Sequence, residues 1–144
     1  MAHMYLEQIG IESDDPCVPN TDQVDEKRND RFKEQRETLG FDERETWSID
    51  FTLAAWVYER FMWYLENAPI DTTFYQVEAT YAEMSDDGTY HQVRRTVSQK
   101  EAIELVCEYM RHYLRHQYDD VAQTNAQYEA AFVTMSQLMP LMWW

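Results

Sequence analysis

Glycine is scarce in this chain, with three (Gly10, Gly40, Gly88) in 144 residues. None stands in the repeated spacing that lets a loop wrap phosphate with its backbone N–H groups, which excludes the common nucleotide-binding signatures. Cysteine is scarcer still. Cys17 lies between prolines and Cys107 in an apolar helical stretch, and such a pair supports neither a zinc ligand set nor a disulfide framework. No apolar run approaches the roughly eighteen residues of a membrane-spanning helix, and the N-terminus lacks the apolar core of a signal peptide. A reduced, host-cytoplasmic setting is the expectation. Only three lysines accompany nine arginines, a bias of the source genome. Met1-Ala2-His3 reads as a cloning remnant ahead of a native start at Met4.

Acid and aromatic residues are what the chain has in plenty. Twenty-seven carboxylates against twelve Lys and Arg give a formal charge of −15. That balance repels nucleic acid and anionic membranes and attracts basic partners. Residues 1–50 alone hold fourteen acidic and six basic side chains, a balance of −8. Aromatic residues make up 15%, including five Trp and ten Tyr, which serves a bulky core or a partner interface.

The periodicities predict an α+β fold, with a helical core of three to four helices and one β-hairpin at about residues 72–97. Residues 1–20 read as an N-terminal arm with Tyr5, Leu6 and Ile9 as apolar anchors, and residues 21–144 as a single globular domain. Thr21 or Asp22 caps a nearly all-polar helix that runs to Leu39 and stops at Gly40. A helix of that kind is a solvent-facing brace or a partner-binding element. From Gly40 to Ala68, Trp47, Phe51, Ala54, Ala55, Tyr58, Phe61, Met62 and Leu65 recur at helical spacing, behind a capping box of Asp42 and Glu45. Pro69 ends this helix. Thr72–Tyr81 and Thr89–Val97 are rich in Thr, Val and Tyr and flank the turn Ser85-Asp86-Asp87-Gly88, which predicts the hairpin. Ser98 and Glu101 form a second capping box, opening a helix with Ile103, Val106, Cys107, Met110, Tyr113 and Leu114 inward. A last helix, about Val121–Leu138, presents Ala122, Tyr128, Ala131, Phe132, Met135, Leu138 and Met139, ahead of Pro140 and the apolar tail Leu141-Met142-Trp143-Trp144.

The run Glu45-Thr46-Trp47-Ser48-Ile49-Asp50, followed by a helix rich in Tyr, Arg and Phe, resembles the "ETW" box of small acidic phage and prophage proteins. The likeness extends in order from Gly40 to about Arg115, through a polar β segment and a Thr-x-x-Glu-type helix start, and the Trp-Trp ending fits it. The usual Tyr-Pro-Arg-Leu turn is replaced here by Tyr58-Glu59-Arg60-Phe61. The resemblance implies phage kinship and no particular activity.

Catalytic patterns are weak. Glu104, Glu108, His112 and His116 fall at four-residue steps, and two His at that spacing can grip a metal, yet a third ligand of clear spacing is missing. The same ridge reads as a solvated edge of Glu–His pairs. Ser48, Ser85, Ser98 and Ser136 lack a nucleophile elbow, and Cys107 falls on a buried stripe. Glu34/Glu37 and Glu83/Asp86 have the local spacing of a pyrophosphohydrolase carboxylate set, but the second pair sits in the strand-turn region.

The expectation is therefore a non-enzymatic, phage-derived inhibitor of a host defence protein, a CRISPR effector or nuclease, without cofactor or metal. Its partner is a basic, nucleic-acid-binding host protein, with no direct contact to nucleic acid or membrane. The expected contact residues are Asp14, Asp15, Asp22, Asp25, Glu26, Asp30, Glu34, Glu37, Trp143 and Trp144. Continuing along Asp42, Glu43 and Glu45, these carboxylates could imitate a phosphate track, since duplex DNA carries one charge per about 1.7 Å. The alternatives are a phage assembly protein that forms a homo-oligomer through its arm and terminal tryptophans, or a small metal-dependent hydrolase using His112 and His116.

Overall fold

The computed structural model describes residues 3–11 and 26–142. The fold is α+β, with helices α1 (Met4–Gln8), α2 (Glu26–Leu39), α3 (Ile49–Asn67), α4 (Gln99–His116) and α5 (Val121–Leu138) and one antiparallel hairpin of β1 (Gln76–Met84) and β2 (Tyr90–Ser98). Short 3-10 turns at Glu43–Thr46 and Met139–Leu141 flank α3 and α5. Among the described residues no helix is long and apolar enough to cross a membrane.

Helix α4 is the centre of the core. Its start is fixed by Ser98, whose side-chain oxygen accepts from the Glu101 N–H at 3.1 Å, which satisfies one of the orphan donors of the first turn. Every residue of its expected stripe is buried, and Ala102, Leu105 and Tyr109 join them. Against it lie the Ala54, Ala55, Val57, Tyr58, Phe61 and Tyr64 face of α3 and the Ala130, Ala131, Met135 and Leu138 face of α5. The small Ala residues let the helix axes approach closely, and the large rings fill the spaces between them. Ala68 is extended, as the residue before Pro69 must be, and α3 stops there.

Asp50, in the first turn of α3, joins three helices. The Tyr113 hydroxyl of α4 donates to its carboxylate, and the Tyr128 hydroxyl of α5 donates to its backbone carbonyl at 2.9 Å. The two rings pack on each other with centroids 4.2 Å apart. Burial, and then the Asp50 charge, raises the Tyr128 phenol to about 12 and also pushes that of Tyr113 up, so both stay neutral donors at physiological pH.

A lone hairpin is marginal in water and needs support. Here β1 is the inner strand: Val77 and Ala79 are buried in the core, and its outer edge is closed by side chains. The Thr80 N–H donates to Thr134 Oγ1 of α5 at 2.9 Å, and the Ala82 N–H to the Tyr109 hydroxyl of α4 at 3.1 Å. Pairing of Val77 with Val97 and Tyr81 with Val93 turns the N–H groups of Gln92, Arg94 and Thr96 to the opposite edge. That edge of β2 is exposed. Gly88, at φ +84° in the turn, takes a conformation that side-chain-bearing residues resist.

Several sequence expectations need correction. The segment read as an arm contributes to the core: Tyr5 and Leu6 are buried, and the Tyr5 hydroxyl donates to Glu66 at 2.6 Å. Five residues are too few for intrinsic helicity, so packing forms this turn and the composition could not reveal it. Trp47 precedes α3 and is half exposed, because the Asp42–Glu45 capping box opens a separate 3-10 turn instead of the long helix. Ala122 and Met139 face solvent. Helix α2 begins at Glu26; the expected caps Thr21 and Asp22 lie outside the described residues.

Thr134 is fully buried, and its single proton goes to the Ala130 carbonyl at 2.9 Å while the Thr80 N–H points at its oxygen. Thr134→Val should orphan that N–H and cost about 1–3 kcal/mol, whereas Thr134→Ser should cost less. Thermal or denaturant melts of the two variants check this, and equal stabilities would refute the edge-sealing role.

Candidate interaction surface

Asp42 determines where α2 sits. Its carboxylate is fully buried and receives Arg36 Nε at 2.6 Å, Arg44 Nη2 at 2.8 Å and the Arg44 backbone N–H at 3.0 Å. Its own N–H donates to Glu45 Oε2 at 3.2 Å, completing the capping box. Burial alone would push this carboxyl up; the hydrogen bonds from Arg44 and Arg36 outweigh it and hold the group down at about 2. Beside this ion cluster, Phe32 of α2 is buried between the Arg44 guanidinium, 4.4 Å from its ring centroid, and the edge of Trp47 at 6.1 Å. Arg31 bonds Glu43.

These contacts decide which of the expected acidic contact residues face solvent. Asp30, Glu34 and Glu37 are exposed, and their spacing puts them on one ridge of α2, turned away from Phe32. Lys27 and Lys33 flank that ridge, and α2 as a whole carries four acidic and five basic residues. A continuous carboxylate track does not form there. Asp42 is inside the protein, Glu43 is tied to Arg31 and Glu45 serves as a cap. Asp14, Asp15, Asp22, Asp25, the side chain of Glu26, Trp143 and Trp144 lie outside the described residues.

The larger surface feature is one the sequence reading missed. Helix α3 is apolar on two sides. Opposite its buried face, Ile49, Leu53, Trp56 and Trp63 are exposed, Ile49 by 65% and the two tryptophans by 43% and 45%. With Arg60 they step by four, three, four and three residues, a second straight ridge. The Arg60 guanidinium lies 4.3 Å from the Trp56 ring centroid, a cation–π contact that holds the indole flat against the helix. Towards the helix end, Met4 of α1, Arg60 and Trp63 border a shallow depression of about 510 Å³. Ile49, Leu53, Trp56 and Trp63 recur at helical spacing as the core stripe does, and spacing alone does not tell which of the two stripes faces solvent.

The groups considered for chemistry are placed as follows. Burial pushes the Cys107 thiol up to about 12, so the nucleophilic thiolate is absent at neutral pH. His112 and His116 stack with ring centroids 4.8 Å apart. Among the described residues no group of three or more His, Cys, Asp or Glu is arranged to hold a metal ion.

Linkage gives a sign for the Asp42 cluster. Its folded carboxyl titrates about two units below the unfolded one, so its contribution is complete above about pH 4, falls away as pH drops towards 2, and is of the order of 2 kcal/mol. Because the cluster joins α2 to the 3-10 turn ahead of α3 and includes no core residue, acid should loosen Glu26–Leu39 before the core, and Asp42→Asn should do so at neutral pH. Amide hydrogen exchange along α2 measures this; α2 amides as protected at pH 2 as at pH 7 would contradict it. Comparison of the chain with protein-family models, curated proteins and solved structures finds no match.

Proposed function

We propose that this chain is a non-enzymatic, phage-derived interaction protein that inhibits a host defence protein, a nuclease or CRISPR effector with a basic, nucleic-acid-binding surface. The observation that carries the reading is the second apolar ridge of α3. A helix with apolar residues on two opposite sides normally buries both, and exposed Trp residues at helical spacing are the usual anchors of a helix-in-groove contact. The net charge of −15 supplies long-range attraction to a basic partner, which raises association rate more than affinity. In this reading the ridge holds the partner while the Asp30, Glu34 and Glu37 ridge helps to steer it. The mixed charge of α2 makes it a poor copy of a phosphate track, so the decoy mechanism rests on shape and hydrophobic anchoring as much as on charge.

Capture from host lysate with the full chain tests this reading. Trp56→Ala and Trp63→Ala should each weaken the captured complex by about 2 kcal/mol, roughly thirtyfold. Reversing Asp30, Glu34 and Glu37 to Lys should slow association and flatten its salt dependence while leaving dissociation nearly unchanged. A captured basic nuclease or CRISPR effector that responds in this way supports inhibition. Tight binding of DNA by the isolated protein overturns it, and capture of nothing but the chain itself shifts the assignment to a phage assembly protein.

A further inference from the structure

Helix α4 turns a second kind of surface outward, on the side facing α5 and away from the α3 ridge. Four-residue steps align Glu108, His112 and His116 on one ridge and Arg111 and Arg115 on the next. Across from them α5 contributes two carboxamides, Gln123 and Gln127. Together they line a cleft of about 260 Å³.

Three features single this cleft out. First, Arg111 and Arg115 make no ion pair or hydrogen bond among the described residues, although the chain has more than two carboxylates for every cation. Elsewhere Arg31, Arg36, Arg44 and Arg95 all pair with carboxylates and Arg60 stacks on Trp56; Arg94, exposed on β2, stands alone among the described residues, so only at Arg111 and Arg115 do two such guanidinium groups share one cleft. Second, His112 Nδ1 and Gln127 Oε1 are both buried without a hydrogen-bond partner. Such orphans cost about 1–3 kcal/mol each when left unmade. The Gln127 amide can turn over to present its NH₂ group instead, since the two ends are alike in shape. Third, the lining is donor-rich: two guanidinium forks, two imidazoles and two carboxamides converge, with the exposed Glu108 as the only carboxylate.

From this convergence we infer that the cleft between α4 and α5 binds a phosphoryl group, as free phosphate or as the end group of a phosphomonoester. Planar guanidinium forks suit tetrahedral oxyanions because two parallel N–H bonds meet two oxygens. The volume is ample for one phosphoryl group with its water.

The charges around the cleft set the pH response. On α4, Glu104 and Glu108 stand with Arg111 and Arg115. The α4–α5 turn adds Tyr118, Asp119 and Asp120, with Asp119 3.3 Å from His116, and α3 brings Tyr58 near Arg111; the α5 lining is uncharged. Burial and then the neighbouring His116 hold the His112 imidazole below its ordinary value. A bound dianion reverses that balance and draws a proton onto the ring, so bound phosphate raises the pH at which His112 titrates, while protonation of phosphate itself between about pH 7.5 and about 6 opposes a gain in affinity.

The test follows the histidine signals of the labelled full-length chain by NMR during titration with inorganic phosphate at those two pH values. Saturable shifts are expected at His112 and His116 and not at His91, and bound phosphate should raise the pH at which the His112 signal titrates. The Arg111→Gln/Arg115→Gln double variant should lose about tenfold or more in affinity, Arg111→Lys/Arg115→Lys should lose less, and Glu108→Gln should gain. Both arginines are exposed, so the variants should fold, which circular dichroism and an unshifted His91 signal verify. Phosphoserine peptide and nucleoside monophosphate are then added as competitors. Displacement by either one marks an esterified phosphoryl group as the ligand, and displacement by neither marks free phosphate. Unsaturable shifts, shifts shared equally by His91, or a double variant that binds as well as the parent overturns the site.

Discussion

Asp50 is the contact on which the arrangement of the helices depends. One residue at the start of α3 receives a phenol from α4 on its carboxylate and a phenol from α5 on its backbone carbonyl. Helix packing by ridges and grooves leaves rotation about the helix axis weakly determined when a helix is apolar on both sides, and α3 is such a helix. Two directed hydrogen bonds at its first turn remove that ambiguity. They select Ala54, Ala55, Tyr58 and Phe61 for the core and thereby leave Ile49, Leu53, Trp56 and Trp63 outside. A 100° rotation would bury tryptophan where alanine now fits, and the core has no room for it.

In the proposed reading the molecule separates attraction from adhesion. Net charge acts over the Debye length, about 8 Å at physiological salt, and residues 1–50 carry −8 of the −15. Adhesion needs desolvated apolar area, and that is concentrated on one helix. The acids nearest the α3 start are neutralised by arginines, Asp42 by Arg36 and Arg44 and Glu43 by Arg31, while the Asp30 ridge stays on the far side of α2. The acid-rich first third of the chain thus has a structural share and a surface share, which a charge count alone cannot divide.

Much of the fold was legible in the sequence, for particular reasons. The α4 stripe was read residue by residue because its apolar positions are strictly periodic and its start is marked by Ser98 and Glu101. The hairpin was read from its Thr, Val and Tyr content and the Ser85–Gly88 turn, and α5 from its periodicity and Pro140. The burial of Tyr5 and Leu6 was hidden, since a five-residue helix exists only through tertiary packing. Trp47 was misplaced because a capping box marks the start of any helical turn, the short 3-10 kind included. The site was harder to read. Spacing could show that Asp30, Glu34 and Glu37 share a ridge, but not that Asp42 is buried or that α3 shows a second apolar face to solvent. The polar cleft was partly visible as the His112–His116 spacing; Gln123 and Gln127, which lie opposite, come from another helix and leave no mark on that pattern.

The unequal edges of the hairpin limit how this chain can associate with itself. Endless sheet growth requires each copy to offer two open edges, one to receive a neighbour and one to be received. Among the described residues Thr134 and Tyr109 occupy the β1 side, which leaves the β2 side open to another strand. A copy added there presents its own closed side outward, and stacking stops at a pair. In a two-fold antiparallel pair centred on the strand, the positive charge of Arg94 would also face its own counterpart. The same side chains that complete the core therefore act as a stopper, keeping an aromatic-rich protein with one bare strand from growing into a fibre.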